Sequence, residues 1–287
     1  MKQTRLYLSI LFLLSLVAAC NKDEEETENR TKLLTVTETT GSGSEKVTTK
    51  QEFAFNNELL QKHTTTQTYT DLWLEAKYTH TIATQLSYEP GKVIITDEAG
   101  NESIYIMDDK GRATNCTRNE PGGNIRTYTF NYSTSEDGIL TGIKENINGK
   151  PYSEITITFL QEGTINISES SNNYQNTFIA STNSAYPGIS NTMSRLPWLF
   201  LAERYPLSLH TEALYANILG APLPILPGRL DIEGSDEITT YSYNADKNGY
   251  IIDCAGRTSV SSGRSWSRYV QYAYTSCLLY TSPSPRD

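Results

Sequence analysis

Beyond about Thr31 the chain is dominated by a period of two, in which apolar or aromatic residues alternate with threonine, serine and other polar residues. In Glu154-Ile155-Thr156-Ile157-Thr158-Phe159 the two isoleucines and the phenylalanine share one face and the threonines the other. Tyr128, Phe130 and Tyr132 fall together in the same way, as do Trp266, Val270, Tyr272 and Tyr274. Such alternation predicts antiparallel strands with one wet face; a parallel sheet would show continuous apolar runs. Turn signals separate the alternating stretches at short intervals: Pro90-Gly91, Ala99-Gly100-Asn101, Lys110-Gly111, Asp137-Gly138, Asn148-Gly149, Glu162-Gly163 and Asn248-Gly249. The predicted fold is all-β, an antiparallel hairpin meander forming a strongly curved sheet or barrel-like structure. One short helix is expected near 208–219, stopped by Gly220 with Pro222 and Pro224 beyond it. Just upstream, Leu196-Pro197-Trp198-Leu199-Phe200-Leu201 is too apolar for solvent and is read as a plug packing with the helix over one end or face of the sheet.

A weak internal repeat runs through this pattern. Tyr105, Asp108 and Gly111 recur in spacing as Tyr243, Asp246 and Gly249, and each glycine is followed five residues later by a cysteine, Cys116 or Cys254. Equivalent depth is expected for the two cysteines. Both a disulfide and a pair of buried free thiols stay open, because matching repeat positions need not be neighbours.

The first nineteen residues break the pattern. Lys2 and Arg5 precede an apolar run from Leu6 to Ala19, the layout of a secretory signal, and the run is shorter than the roughly 20 residues a membrane helix needs. Val17-Ala18-Ala19-Cys20 resembles the lipobox of bacterial lipoproteins, which implies cleavage before Cys20 and its lipidation. The following Asn21-Lys22-Asp23-Glu24-Glu25-Glu26 is similar to the acidic export signals of Bacteroidota outer-membrane lipoproteins, and equally suits a solvated tether. The expected organisation is a signal peptide over 1–19, an acidic tether over 20–31, and a single β-rich domain over 32–276. Residues 277–287 resemble a translated sequencing adaptor and are set aside from fold reasoning. The expected location is the outer membrane, lipid-anchored and facing the exterior, with the periplasmic face as the alternative.

Charge narrows the partners. Removing Lys2 and Arg5 leaves 22 basic against 33 acidic residues, a net charge near −11, so nucleic acid is disfavoured as a partner.

The stretches Tyr105–Thr114, Leu196–Leu199, Tyr215–Gly220 and Tyr241–Tyr250 resemble Bacteroidota lipoproteins that contain a domain of unknown function with a porin-like fold. The resemblance covers about Thr64 to Tyr274 and implies a barrel, with no catalytic residues to carry over. A membrane barrel also needs outward apolar bands with aromatic girdles. Here the second face is mostly Thr, Ser, Asn and Lys, which fits a water-facing barrel hung from a lipid.

Candidate chemistry is sparse. Asn244-Ala245-Asp246-Lys247-Asn248-Gly249 begins like a calcium loop, but Ala255 stands where a bidentate glutamate should close it, so a hairpin turn is expected. His63, His80 and His210 show no metal-ligand spacing, and His210 is assigned a surface or cap role near the helix start; no metal or cofactor is expected. Trp198 reads as core. Trp73 and Trp266 are the candidate ligand-binding aromatics, with packing as the competing role. The expected function is a non-enzymatic binding or accessory module for a glycan, peptide or protein ligand. The alternatives are a structural envelope component and a carbohydrate-active hydrolase, the latter drawing on Asp231, Glu233, Asp236 and Glu237.

Overall fold

A strand with one greasy face must turn that face away from water, and in this protein sixteen such strands achieve it by closing on themselves. The computed structural model describes residues 32–41, 45–71, 76–134, 138–172, 174–198 and 208–275. The signal segment, Cys20, the tether, Trp73, Leu199-Phe200-Leu201 and residues 277–287 lie outside the described residues.

In chain order the first strands are β1 (Leu33–Thr40), β2 (Glu45–Asn56), β3 (Leu59–Asp71), β4 (Ala76–Glu89), β5 (Lys92–Asp97) and β6 (Glu102–Met107). There follow β7 (Ala113–Asn119), β8 (Ile125–Tyr132), β9 (Leu140–Ile147), β10 (Lys150–Phe159), β11 (Thr164–Ser171) and β12 (Tyr174–Ser181). A long connection then carries β13 (Ile189–Ser190), α1 (Glu212–Tyr215) and β14 (Ile225–Leu226). The chain ends on β15 (Arg229–Ile232), β16 (Ile238–Ala245), β17 (Ile251–Ser259) and β18 (Ser265–Tyr274). Consecutive strands pair antiparallel around the wall, except that β12 pairs with β15 and β18 closes onto β1. The meander read from the alternation is thus a closed barrel.

Register converts the alternation into an inside and an outside. Ile155, Ile167, Phe178, Tyr105 and Ile251 point inward and are fully buried. On β3, Thr64, Thr66, Thr68 and Thr70 take the opposite parity to buried His63 and face out, where Thr66 and Thr68 meet Thr81 and Thr79 of β4 through their hydroxyls at 3.2 and 3.4 Å. Turn chemistry sets this register. Asn148 and Gly149 both take positive φ (50° and 78°), as the tight β9–β10 turn requires.

The internal repeat is structural. Asp108 accepts backbone N–H bonds from Lys110 and Arg112, and Asp246 accepts them from Asn248 and Tyr250, so the β6–β7 and β16–β17 hairpins are closed by the same aspartate turn. This is the hairpin expected in place of a calcium loop. Directly across each hairpin, Tyr105 faces Cys116 and Tyr243 faces Cys254. The two hairpins lie eight strands apart around a sixteen-strand wall, and both cysteines are buried and free. The disulfide left open by the sequence is therefore excluded by topology: equal depth has placed the thiols on opposite walls.

A barrel of sixteen strands is wide enough to leave a water channel. Here the lumen is filled by the β12–β15 connection, which enters and leaves through the same end. Leu196, Trp198, Ala213, Ile218, Leu219 and Leu223 are buried within it against the inner wall. Leu196 and Trp198, the described apolar residues of that segment, thus pack against the inner face of the wall, in line with the plug read from the sequence. Asn191 ties its two arms together: the side-chain amide donates to the carbonyls of Leu196 and Leu223 and accepts from Leu196 N–H, each at 2.9 Å. Ala113 N–H of the wall donates to Ile218 O at 2.8 Å.

The helix is shorter than the periodicity suggested. It stops after Tyr215 because Asn217 takes the left-handed conformation (φ 56°) and closes a Schellman motif, with Ile218 N–H on Ala213 O and Asn217 N–H on Leu214 O. Gly220 serves a different need: a Cβ there would collide with the Gly138 carbonyl and the Tyr132 ring.

Two histidine–carboxylate contacts and a tyrosine latch the plug to the wall. His63, stacked on Phe53 at 4.7 Å, meets Glu212 at 2.7 Å, and His210 meets Asp97 at 3.2 Å. The Tyr128 hydroxyl lies 3.1 Å from the Ser208 carbonyl. His210 is buried, which corrects the surface half of its surface-or-cap assignment, while its carbonyl accepts the Ala213 N–H at the helix start; its side-chain partner is a wall residue more than a hundred positions away, so no local spacing could have revealed it. Burial alone would raise Glu212, but the hydrogen bond and charge of His63 hold it below the ordinary 4.5. Burial likewise pushes Asp97 up, and the bonds from Asn101 and His210 outweigh it and hold it below 3.8. For His210, burial and the Arg118 guanidinium favour the neutral ring over the pull of Glu212 and Asp97, and hold it below 6.5.

Two outcomes are expected. Asn191→Ala strands three buried backbone groups and should lower the stability to urea unfolding by roughly 2–4 kcal/mol; a change under about 0.5 kcal/mol would show that the plug arms do not depend on it. Depressed carboxylates stabilise above their unfolded pKa and lose that contribution as pH falls, and a depressed histidine takes up its proton on unfolding, so all three groups act in the same direction. Calorimetric Tm should therefore fall on acidification below about pH 6.5 and again below about pH 4, with Glu212→Gln flattening the lower stage.

Candidate binding face at the barrel mouth

Strands β2, β3 and β4 have 12, 13 and 14 residues, against six each in β5 and β6. Their extra length extends at the end away from the plug's entry. Threonine and tyrosine sustain the alternation there long past the usual five or six residues of a strand. On the inner face of this extension Tyr78, His80 and Ile82 are exposed.

Cross-strand register specifies what that face carries. Arg268 of β18 lies opposite Thr40, Thr40 opposite Val47, Val47 opposite Tyr69, and Tyr69 opposite Tyr78, forming one inward row across five strands. The next row toward the plug is Val270, Glu38, Thr49, Gln67 and His80. Trp266 stands two residues beyond Arg268 on the same face of β18. Tyr78 is 67% exposed and Trp266 52% exposed, although both point to the side that buries Val270 and Thr84 elsewhere. The Tyr69 and Tyr78 rings pair at 6.4 Å with a 35° tilt.

Charge on the inner wall is matched locally. Arg268 donates to Glu38 at 3.0 Å, its stem lying across Gly256, where a Cβ would come within 3.0 Å of the Arg268 Cγ. On the far wall, Arg126 donates to Glu145 at 2.8 Å and to Glu120 at 2.6 Å, while Ser153 and Tyr128 also donate to Glu145. Burial disfavours the Arg126 charge, but the two glutamates outweigh it and raise its pKa. Glu145 is 1% exposed and acts as the hydrogen-bonded floor of this belt, whose Arg126 and Glu120 are partly exposed and pair with each other. The lysines of β2–β4 with described side chains, Lys46, Lys50, Lys62 and Lys77, have outward parity. The mouth thus presents aromatic rings among hydroxyls and an amide.

Of the aromatics singled out from sequence, Trp198 is core at 8% exposure, Trp266 is on the mouth, and Trp73 lies in the β3–β4 connection outside the described residues. Tyr69, Tyr78 and Gln67 were missed. Their signal was present as shared parity with the buried His63 side of an overlong strand. The acidic cluster does not converge on a pocket: Asp231 is held by Arg229 at 2.7 and 2.9 Å, and Asp236 accepts from Ser261 N–H at 2.9 Å. Among the described residues no group of three or more His, Cys, Asp and Glu side chains could hold a metal. A small apolar cavity of about 40 Å³ lies between plug and wall beside Trp198, Leu140 and Leu219.

Residues 56–253 match the family described as "Domain of unknown function (DUF4595) with porin-like fold". A crystal structure of a porin-like protein from Bacteroides uniformis is similar over 86% of this chain and 97% of its own, at 31% identity and a TM-score of 0.77. A second, from Bacteroides vulgatus, covers 85% of this chain and 99% of its own at 12% identity and a TM-score of 0.51, a likeness of fold alone. No curated protein sequence matches. With its closed sixteen-strand wall, luminal plug and match over most of its length, the chain belongs to this family of porin-like domains of unknown function.

Proposed function

We propose that this protein is a lipid-anchored, non-conducting barrel of the outer membrane that stands in water and holds a ligand at its mouth. The observation that carries this reading is the polarity of the wall. A porin turns an apolar band to lipid and a polar lining to its channel; this barrel turns isoleucine, tyrosine and phenylalanine inward and threonine, serine and lysine outward. A charged or hydroxylated outer face cannot be inserted in hydrocarbon without large cost. Attachment then falls to Cys20, where two or more acyl chains make a stable anchor. The matched family has no assigned activity, and buried Glu212 and Glu145 serve the plug and the floor, which supports a binding role over a hydrolytic one.

Growth with radiolabelled palmitate should label the protein, and Cys20→Ala should abolish the label and release the mature barrel into the soluble fraction. The purified lipoprotein should add no conductance to a planar bilayer. Stepwise single-channel currents, or retained membrane insertion of the Cys20→Ala form, would refute the reading.

A further inference from the structure

Building on that binding role, we propose that the mouth is a carbohydrate site, taking an uncharged polysaccharide chain laid across β18, β1, β2, β3 and β4 from Trp266 to the Tyr69–Tyr78 pair. Three observations select this ligand. First, the exposed rings lie on the concave face. Neighbouring strands are about 4.8 Å apart, so Trp266 and Tyr78, four strands apart, are separated by roughly 20 Å along the sheet. That spacing suits several linked sugar units better than a monosaccharide. Flat rings pack against the apolar C–H faces of sugars, and Thr49, Gln67, His80 and Thr40 lie between them to meet hydroxyls.

Second, the charge pattern disfavours anionic polymers. Arg268 is engaged by Glu38, the described lysines of β2–β4 face outward, and the mature chain is acidic. Third, an extended peptide binds most readily by adding a strand to a sheet edge, here the Ala76–Ala83 stretch of β4 that outruns its pairing with β5, whereas the rings stand on the sheet's inner face. An uncharged chain recognised by stacking and hydroxyl contacts requires neither a cation nor an edge.

The test is affinity electrophoresis of the detergent-solubilised lipoprotein in gels containing dextran, laminarin, galactomannan, inulin or, as the anionic member, polygalacturonate. At least one neutral polysaccharide should retard it, with a parallel change in tryptophan fluorescence. Trp266→Ala and Tyr78→Ala should each weaken the apparent Kd by roughly tenfold or more. Tyr269→Ala, facing outward on the same strand, should leave it unchanged. Both mouth residues are solvent-exposed, so unchanged circular dichroism and Tm will separate loss of binding from loss of fold. Retardation by polygalacturonate alone, or by a peptide pool in place of any neutral polysaccharide, with loss in both mouth variants, would overturn the carbohydrate assignment and leave the mouth as a binding site. Retardation insensitive to both variants, or none with any probe, would overturn the assignment and the binding role together.

Discussion

Everything in this fold follows from one constraint: the apolar side of every strand faces a lumen too wide for the wall's own side chains to fill. Sixteen strands enclose the bore of a porin, and such a bore fills with water when its lining is polar. Here the lining is tyrosine, isoleucine and phenylalanine, so water cannot be the filling, and a piece of the same chain takes its place. The plug in turn needs buried polar anchors, because its backbone leaves the hydrogen-bonding pattern of the sheet. Asn191, the Ala113–Ile218 backbone bond and the paired histidines provide them. The latch, the floor and the polar exterior are consequences of an inverted barrel.

Much of this could be read in advance, and what could not be read was long-range. The alternation in β8, β10 and β18 correctly marks inward residues, and the Asn-Gly turns fall where the hairpins turn. The tyrosine–aspartate–glycine repeat corresponds to two hairpins with the same aspartate turn, yet spacing alone could not show that they face each other across the lumen. Period two records which side of the sheet a residue takes and is silent on closure. The same limitation affects the helix, which Asn217 ends three residues before Gly220, because asparagine tolerates left-handed φ and the surrounding plug requires it there. His210 joins Asp97 only through tertiary packing.

The candidate site was half legible. Trp266 is exposed, against the packing role that competed for it in the sequence, and Trp198 is buried in the apolar run. Tyr69 and Tyr78 escaped notice because they sit in a threonine-rich stretch whose unusual length, more than its residue types, carries the meaning. Length carries them toward the mouth, and parity turns them inward. The likeness to a porin-like Bacteroides structure confirms the wall's architecture, while the proposal that the wall stands in water rests on the chemistry of its two faces.

The most direct measurement is the state of the mature chain without lipid and without detergent. Sedimentation velocity of the Cys20→Ser protein in plain buffer should give a single folded species of constant mass, unchanged when a mild detergent is added. Aggregation that only detergent reverses, or a detergent collar bound around the wall, would contradict a barrel whose outside is made for water.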